Sequence, residues 1–321
     1  MDREQVEPVD VIVREVGLRD GLQIHPTFMP TERKMDWIRA EAAAGVREIE
    51  VTSYVPAKLI PQFSDAEFVT RLALQVPGLT VSALIPNFRG AERGIDLGVH
   101  KLNFVMSVSR THNLKNVRRE REESVADFTK IVAFVRSQPE GKRPLIVGGL
   151  ATALGCSYEG RVPVGDVVRY AVQLAEAGAD EIVVPDTVGY ADPAHVREVF
   201  RAVIAELGEL PVAAHFHDTR GIGLANVTAA LDCGVRRFDA SLAGIGGCPF
   251  APGATGNIVM DDLCFMLDSM GLRTGVDLER LLQVRDIVRE TLPDIEMQGA
   301  LARAGLPRNY VGAELRHASA V

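Results

Sequence analysis

The stretch LPVAAHFHD, residues 210–218, followed after a short turn by GLANVTAALDCG, residues 223–234, sets the pattern for the whole chain. An apolar run of strand length ends in polar residues, and an amphipathic segment closed by a glycine follows it. Working outward, the same strand-then-helix unit recurs: VDVIVREVG before PTERKMDWIRAEAAAG, VREIEVTSY before DAEFVTRLALQV, and LTVSALIP before FRGAERGIDLG. VHKLNFVMSVS precedes a polar loop and REESVADFTKIVAFVRSQ, and RPLIVGGLATAL leads to PVGDVVRYAVQLAEAG. ADEIVVPDT leads to DPAHVREVFRAVIAELG, and VRRFDASLAGIGG runs through a glycine-rich loop to GNIVMDDLCFMLDSMG. Counting these units gives eight over roughly 260 residues, the size of a (β/α)8 TIM barrel, an α/β fold. An open doubly wound sheet is the alternative, but no G-x-G-x-x-G follows the first strand. Residues 1–274 are expected to form the barrel. Residues 275–321, with the amphipathic DLERLLQVRDIVRETL, are expected to add C-terminal helices packed on it.

The chain has 321 residues, of which 47% are hydrophobic and 24% charged, a globular composition. A formal net charge of -8 argues against a nucleic-acid partner. The polar start MDREQVEPVD and the lack of a long apolar run argue against a signal peptide and a membrane span. The four cysteines, Cys156, Cys233, Cys248 and Cys264, form no C-x-x-C pair, and a cytoplasmic setting with free thiols is expected.

In a TIM barrel the C-terminal ends of the strands carry function. Polar residues gather there: Arg19 and Asp20 after strand 1, Glu50 on strand 2, Asp186 and Thr187 after strand 6, and His215 and His217 on strand 7. His215 and His217, two apart in a strand, point to one side of it. A packed polar pair is the bland explanation. Strands 1 and 7 lie close once a barrel closes, so Asp20 can join the histidines, and Asn257 can add an amide oxygen. Two imidazoles with oxygen ligands suit a divalent cation with open positions, Mg2+ or Mn2+. Arg19, which cannot be a ligand, suits a developing enolate or carboxylate oxygen, or a salt bridge to Glu50 or Asp20. Arg14, in mid-strand, is expected on the outer side of the barrel. The loop GIGGCPFAPGATGN, residues 244–257, holds five glycines and Cys248, a candidate acid or base. Cys233 and Cys264 fall at apolar helical positions, and Cys156 stays undecided. The basic stretch SRTHNLKNVRRERE fits either substrate phosphates or a solvated helix start.

EVGLRDGLQ, EIEVTSYV, PDTVG, HFHDTRGIGLAN and SLAGIGGCPFAPGATGN together resemble the 3-hydroxy-3-methylglutaryl-CoA (HMG-CoA) lyases, metal-dependent TIM-barrel enzymes, over residues 11–272. The resemblance implies a carbon–carbon lyase giving acetyl-CoA and acetoacetate, the reaction of leucine degradation and ketone-body formation. It implies Asp20, His215, His217 and Asn257 as ligands of a divalent cation, Mg2+ or Mn2+, and Arg19 as the enolate-stabilising arginine. Cys248 and His215 are implied in proton transfer, Glu50 and Asp186 in catalysis, and Glu15 in support. Gln23, Ser109 and Thr187 fall where acyl-CoA is handled, beside Arg19, and a homodimer is expected. Leu18 and Ser157 stand where the family has prolines, and Ile24-His25 where it has Asn-Glu. These rim changes leave the acyl group open, with citramalyl-CoA or a longer branched 3-hydroxyacyl-CoA as alternatives. A Claisen-type synthase and a non-catalytic acyl-CoA-binding barrel are the rival functions.

Overall fold

The computed structural model describes residues 9–246 and 256–313. Eight parallel strands close into a barrel in the order in which they occur along the chain. They are β1 (Ile12–Glu15), β2 (Glu48–Ser53), β3 (Thr80–Ile85), β4 (Lys101–Ser107), β5 (Leu145–Ala151), β6 (Glu181–Asp186), β7 (Val212–Phe216) and β8 (Arg237–Ala240). Between them run α1 (Thr31–Ala43), α2 (Ala66–Ala73), α3 (Phe88–Leu97), α4 (Arg110–Asn116), α5 (Arg121–Ser137), α6 (Val164–Glu176), α7 (Pro193–Leu207) and α8 (Gly223–Asp232). After β8 come α9 (Met260–Ser269), α10 (Leu278–Thr291), which packs on α1, and the short α11 (Ala300–Ala304), which packs on α9. No helix among the described residues is long and apolar enough to cross a membrane.

The strands alternate faces with period two, so each contributes one set of side chains to the barrel interior and one to the helix layer. The helix-facing set is apolar: Val13, Ile49, Val51, Val81, Leu102, Phe104, Ile146, Ile182, Val184, Phe216 and Phe238 are all buried. Cys264 joins this layer and Cys233 is half-buried at the end of α8.

The interior set departs from the packed aliphatic layers usual in such barrels. Arg14 lies inside the barrel, a correction to the expected outward placement. The residue is 5% exposed, and its guanidinium pairs with Glu181, with Asp239 at 2.6 Å and with Glu48 at 3.8 Å. Lys101 bridges Glu48 at 2.8 Å and Glu181 at 3.2 Å, and Arg237 reaches Glu181 at 2.8 Å. A buried guanidinium is tolerated there because three carboxylates surround it. Strand alternation alone, with Val13 and Glu15 facing out, would have placed Arg14 inward.

Candidate active site

Arg19 and Asp20 stand on one π-helical turn, Gly17–Gly21, that leaves β1 directly, and such wide turns recur at functional sites. Glycine at the start of the turn leaves Glu15 its place, since a Cβ on Gly17 would lie 2.6 Å from a Glu15 carboxylate oxygen and displace it. Asp20 points to the barrel axis, where His215 and His217 arrive from β7. Their Nε2 atoms are 3.1 Å apart, and Asp20 Oδ2 is 3.4 Å from His217 Nε2. One ligand atom from each of the three residues lies within 4.8 Å of the others, and all three are buried. Asn257 is brought beside them by a bridge to His217 and donates from Nδ2 to Asp20 Oδ2 at 2.7 Å. Gly246 makes room for it, at φ 138°, where a Cβ would meet the Asn257 amide at 2.7 Å.

The donor set fits a divalent cation. Two imidazole nitrogens and a carboxylate converge in a buried spot, and Asn257 Oδ1 has no hydrogen-bond partner among the described residues. Burial alone would push Asp20 up, but Arg19, His217 and His215 outweigh it and hold the carboxyl far below its usual range. It is therefore a carboxylate at any working pH. Burial would likewise lower His215, yet Asp239 and Asp20 raise it.

Arg19 donates from Nε to Glu50 and from Nη1 to Asp20 at 2.6 Å. Burial works against its charge, but these two carboxylates raise it above an ordinary arginine. The salt bridge and a catalytic use of Arg19 are thus compatible. Glu50 is held in turn by Asn103 at 2.8 Å, and Gln23 donates to Asp20 Oδ1 at 2.8 Å.

These groups form the floor of a cavity of about 900 Å3 that opens at the C-terminal rim, lined also by Thr187. One wall is apolar, with Ile24, Val55, Leu59 and Ile60, and Lys115, Arg118 and Arg119 line another part. The basic stretch therefore divides. Arg110 pairs with Glu120 on the surface, and Arg121 lies 3.7 Å from Asp166; Lys115 and Arg118 face the cavity, and Arg119 lines it while paired with Asp127 at 2.7 Å.

Three expected residues stand behind the cavity. Ser109 is 1% exposed, caps α4, donates its N–H to Thr152 Oγ1 at 3.1 Å and accepts from Cys156 Sγ at 3.1 Å. Cys156 is thereby a buried partner within the loops. Asp186 is fully buried and accepts from the N–H groups of Tyr190 at 2.8 Å and Ala191 at 3.0 Å, closing the turn after β6. Burial raises its pKa despite these donors. Cys248 lies outside the described residues.

Glu15, the third, points away from the barrel axis, toward the helices. It accepts the N–H of Gly17 and that of Leu242 at 2.8 Å, tying the Arg19–Asp20 turn to the segment after β8. Burial pushes Glu15 up to about 7, and burial with the neighbouring Glu15 charge pushes Glu41 on α1 well above the carboxylate range. Both folded-state pKa values exceed the unfolded ones, so the fold holds more protons and loses stability as pH rises from about 4.5 through 7 and above. Glu41→Gln, which removes one charge of the pair, should therefore raise the melting temperature more at pH 8.5 than at pH 5.5. An equal change at both pH values would show that the pair does not titrate in this window.

Two groups were missed from the sequence. Asp239 and Asn103 are polar residues in the middle of apolar strands, a signal that a buried polar interior would leave. Thr152 has φ 62°, rare for a β-branched residue, and its N–H donates to Thr187 Oγ1 at 2.8 Å, fixing that rim side chain.

A closed parallel barrel with two histidines and an aspartate buried together at its C-terminal rim is the architecture of a metal-dependent TIM-barrel enzyme. Residues 10–288 match the HMGL-like family model, and the chain belongs to the HMGL-like family. It is 39% identical over 285 residues to hydroxymethylglutaryl-CoA lyase YngG of Bacillus subtilis, covering 89% of this chain and 94% of that one. It is 37% identical to the mitochondrial hydroxymethylglutaryl-CoA lyase of Rattus norvegicus, covering 89% and 86%. Among solved structures, an HMG-CoA lyase from Acinetobacter baumannii in complex with coenzyme A and 3-methylmalate superposes with a TM-score of 0.87. It shares 38% identity, with coverage of 94% and 97%.

Proposed function

We propose that this chain is a divalent-metal-dependent carbon–carbon lyase that cleaves HMG-CoA to acetyl-CoA and acetoacetate. The observation that carries the proposal is the convergence of Asp20, His215 and His217 beside Arg19 on the floor of one large cavity. Asp20, His215, His217 and Asn257 would hold the cation, Mg2+ or Mn2+. Bound there, the cation supplies Lewis acidity toward the substrate's oxygens and lowers the pKa of its tertiary hydroxyl.

A group on the cavity floor, Asp20 or His215, takes that hydroxyl proton as the carbon–carbon bond breaks, leaving a ketone and a thioester enolate. Arg19, a fixed cation held by Glu50 and Asp20, stabilises the enolate oxygen without moving. His215 has Nδ1 on Asp239 at 3.2 Å and turns Nε2 toward His217. Return of a proton to the enolate carbon is assigned to the Cys248 thiol or to His215. Lys115 and Arg118, with Arg119 beside them, suit the phosphates of coenzyme A, with Gln23 and Thr187 on the acyl portion. Ser109, Asp186 and Glu15 shape the loops from behind. The Bacillus subtilis and animal relatives support the same substrate. A homodimer in the cytoplasm completes the reading.

A second acyl group has a specific observation behind it. The Acinetobacter relative holds 3-methylmalate, a five-carbon hydroxy diacid similar in size to the acyl part of citramalyl-CoA. Purified protein should therefore be assayed with HMG-CoA and with citramalyl-CoA, with Mn2+ or Mg2+ and with EDTA. Acetoacetate that disappears with EDTA and returns with excess Mn2+ is expected. Pyruvate from citramalyl-CoA alone would replace the substrate, and EDTA-resistant turnover would refute the metal.

A further inference from the structure

Three adjacent strands place Arg14, Asp239 and His215 at one level of the barrel. Parallel pairing sets Arg14 of β1 against Asp239 of β8, and Asp239 against His215 of β7. Arg14 Nε donates to Asp239 Oδ1 at 2.6 Å, and His215 Nδ1 lies 3.2 Å from Asp239 Oδ2. All three side chains are buried. Each carboxylate oxygen therefore has its own partner, and the remaining His215 nitrogen, Nε2, faces His217 and Asp20.

We infer that Asp239, clamped by Arg14, is a positioning residue that fixes His215 as its Nδ1–H tautomer and leaves Nε2 bare toward Asp20 and His217. A carboxylate accepts hydrogen bonds only, so the proton of a neutral His215 ring must sit on Nδ1 to use it. Arginine donates only, so it pins the carboxylate from the other side and prevents it from turning away. Carboxylates behind metal-binding histidines set ring orientation and tautomer in this way, and their loss costs about 10–100-fold in metal affinity. The consequence for metal affinity rests on the proposed cation site; the tautomer assignment does not.

Asp239→Asn gives a sharp test because the replacement has nearly the same shape. The amide oxygen must face Arg14, which turns the amide NH2 toward His215 Nδ1. That nitrogen must then be an acceptor, so the proton moves to Nε2 and blocks the face that meets Asp20. With 15N-labelled histidine, NMR of the metal-free wild type above the histidine titration range should show Nδ1–H at His215. D239N should show Nε2–H, with Mn2+ binding by electron paramagnetic resonance weakened about 10–100-fold. The melting transition of D239N should stay cooperative, since Arg14 keeps Glu181 and Glu48. Nε2–H in the wild type, or a D239N protein that keeps the wild-type tautomer and binds Mn2+ within about twofold, overturns the inference. If D239N does not fold, the wild-type tautomer alone decides. A wild type with the Nδ1–H tautomer that binds no Mn2+ would instead refute the cation site and leave the tautomer assignment standing.

Discussion

Arg19→Met should lower kcat for the cleavage by about 10^3-fold, at the upper end of what one preorganised electrostatic donor contributes to an oxyanion. The side chain is held on the cavity floor by Glu50 and Asp20, so its charge is in place before substrate arrives. It costs little reorganisation when the enolate forms. Methionine fills similar volume, which keeps the local packing and removes the charge. The substitution also frees Asp20 of its strongest opposing charge, and burial would then raise the Asp20 carboxyl toward protonation. Measuring at pH 8 and at saturating Mn2+ separates this loss of ligand from loss of enolate stabilisation. Arg19→Lys should recover only part of the rate, because one ammonium cannot span both carboxylates as the guanidinium does. If R19M retains kcat within about tenfold of the wild type, Arg19 serves only as the partner of Glu50 and Asp20.

Lys101→Met should cost about 3–5 kcal/mol of folding stability, the usual loss when a buried charge is left without its partner. Lys101 is 2% exposed, and its ammonium lies between Glu48 and Glu181 at 2.8 and 3.2 Å. Its removal leaves two carboxylates in the barrel interior with only Arg14 and Arg237 to offset them. Guanidinium unfolding should show the loss as a lower midpoint with an unchanged slope. Adding Glu48→Gln should recover part of it, since removing both members of a buried pair is far milder than breaking one. A loss below about 1 kcal/mol in K101M would mean that the interior is wet enough to solvate the carboxylates.

The two predictions draw on different kinds of residue. Arg19 was visible as a site residue from its place at the end of the first strand unit, next to an acid, in EVGLRDGLQ. Lys101, Glu48 and Glu181 gave no such sign, because a charge at the start of a strand is ordinary when the strand's neighbours are unknown. Arg14 differs: strand alternation already points it inward, and only its partners were hidden. Nothing in VDVIVREVG says that Asp239 and Glu181, more than 160 residues away, will surround it.

What the sequence determined was the repeat of eight apolar strands and amphipathic helices, and with it a closed barrel whose functional end lies at the strand C-termini. The H-x-H spacing put two imidazoles on one side of a strand, and chain closure made Asp20 their neighbour, as the 4.8 Å cluster bears out. The tertiary structure alone decided which polar side chains reach the cavity and which stand behind it. Ser109 and Asp186 sit at strand ends like the cavity residues, yet their side chains accept backbone N–H groups in the loops. It also decided the support of His215, through the register of β1, β8 and β7. The physical reason is range: periodicity and spacing act within a few residues of one strand or helix. The partners of a buried charge are set by strand register across the closed barrel, between segments far apart in the chain.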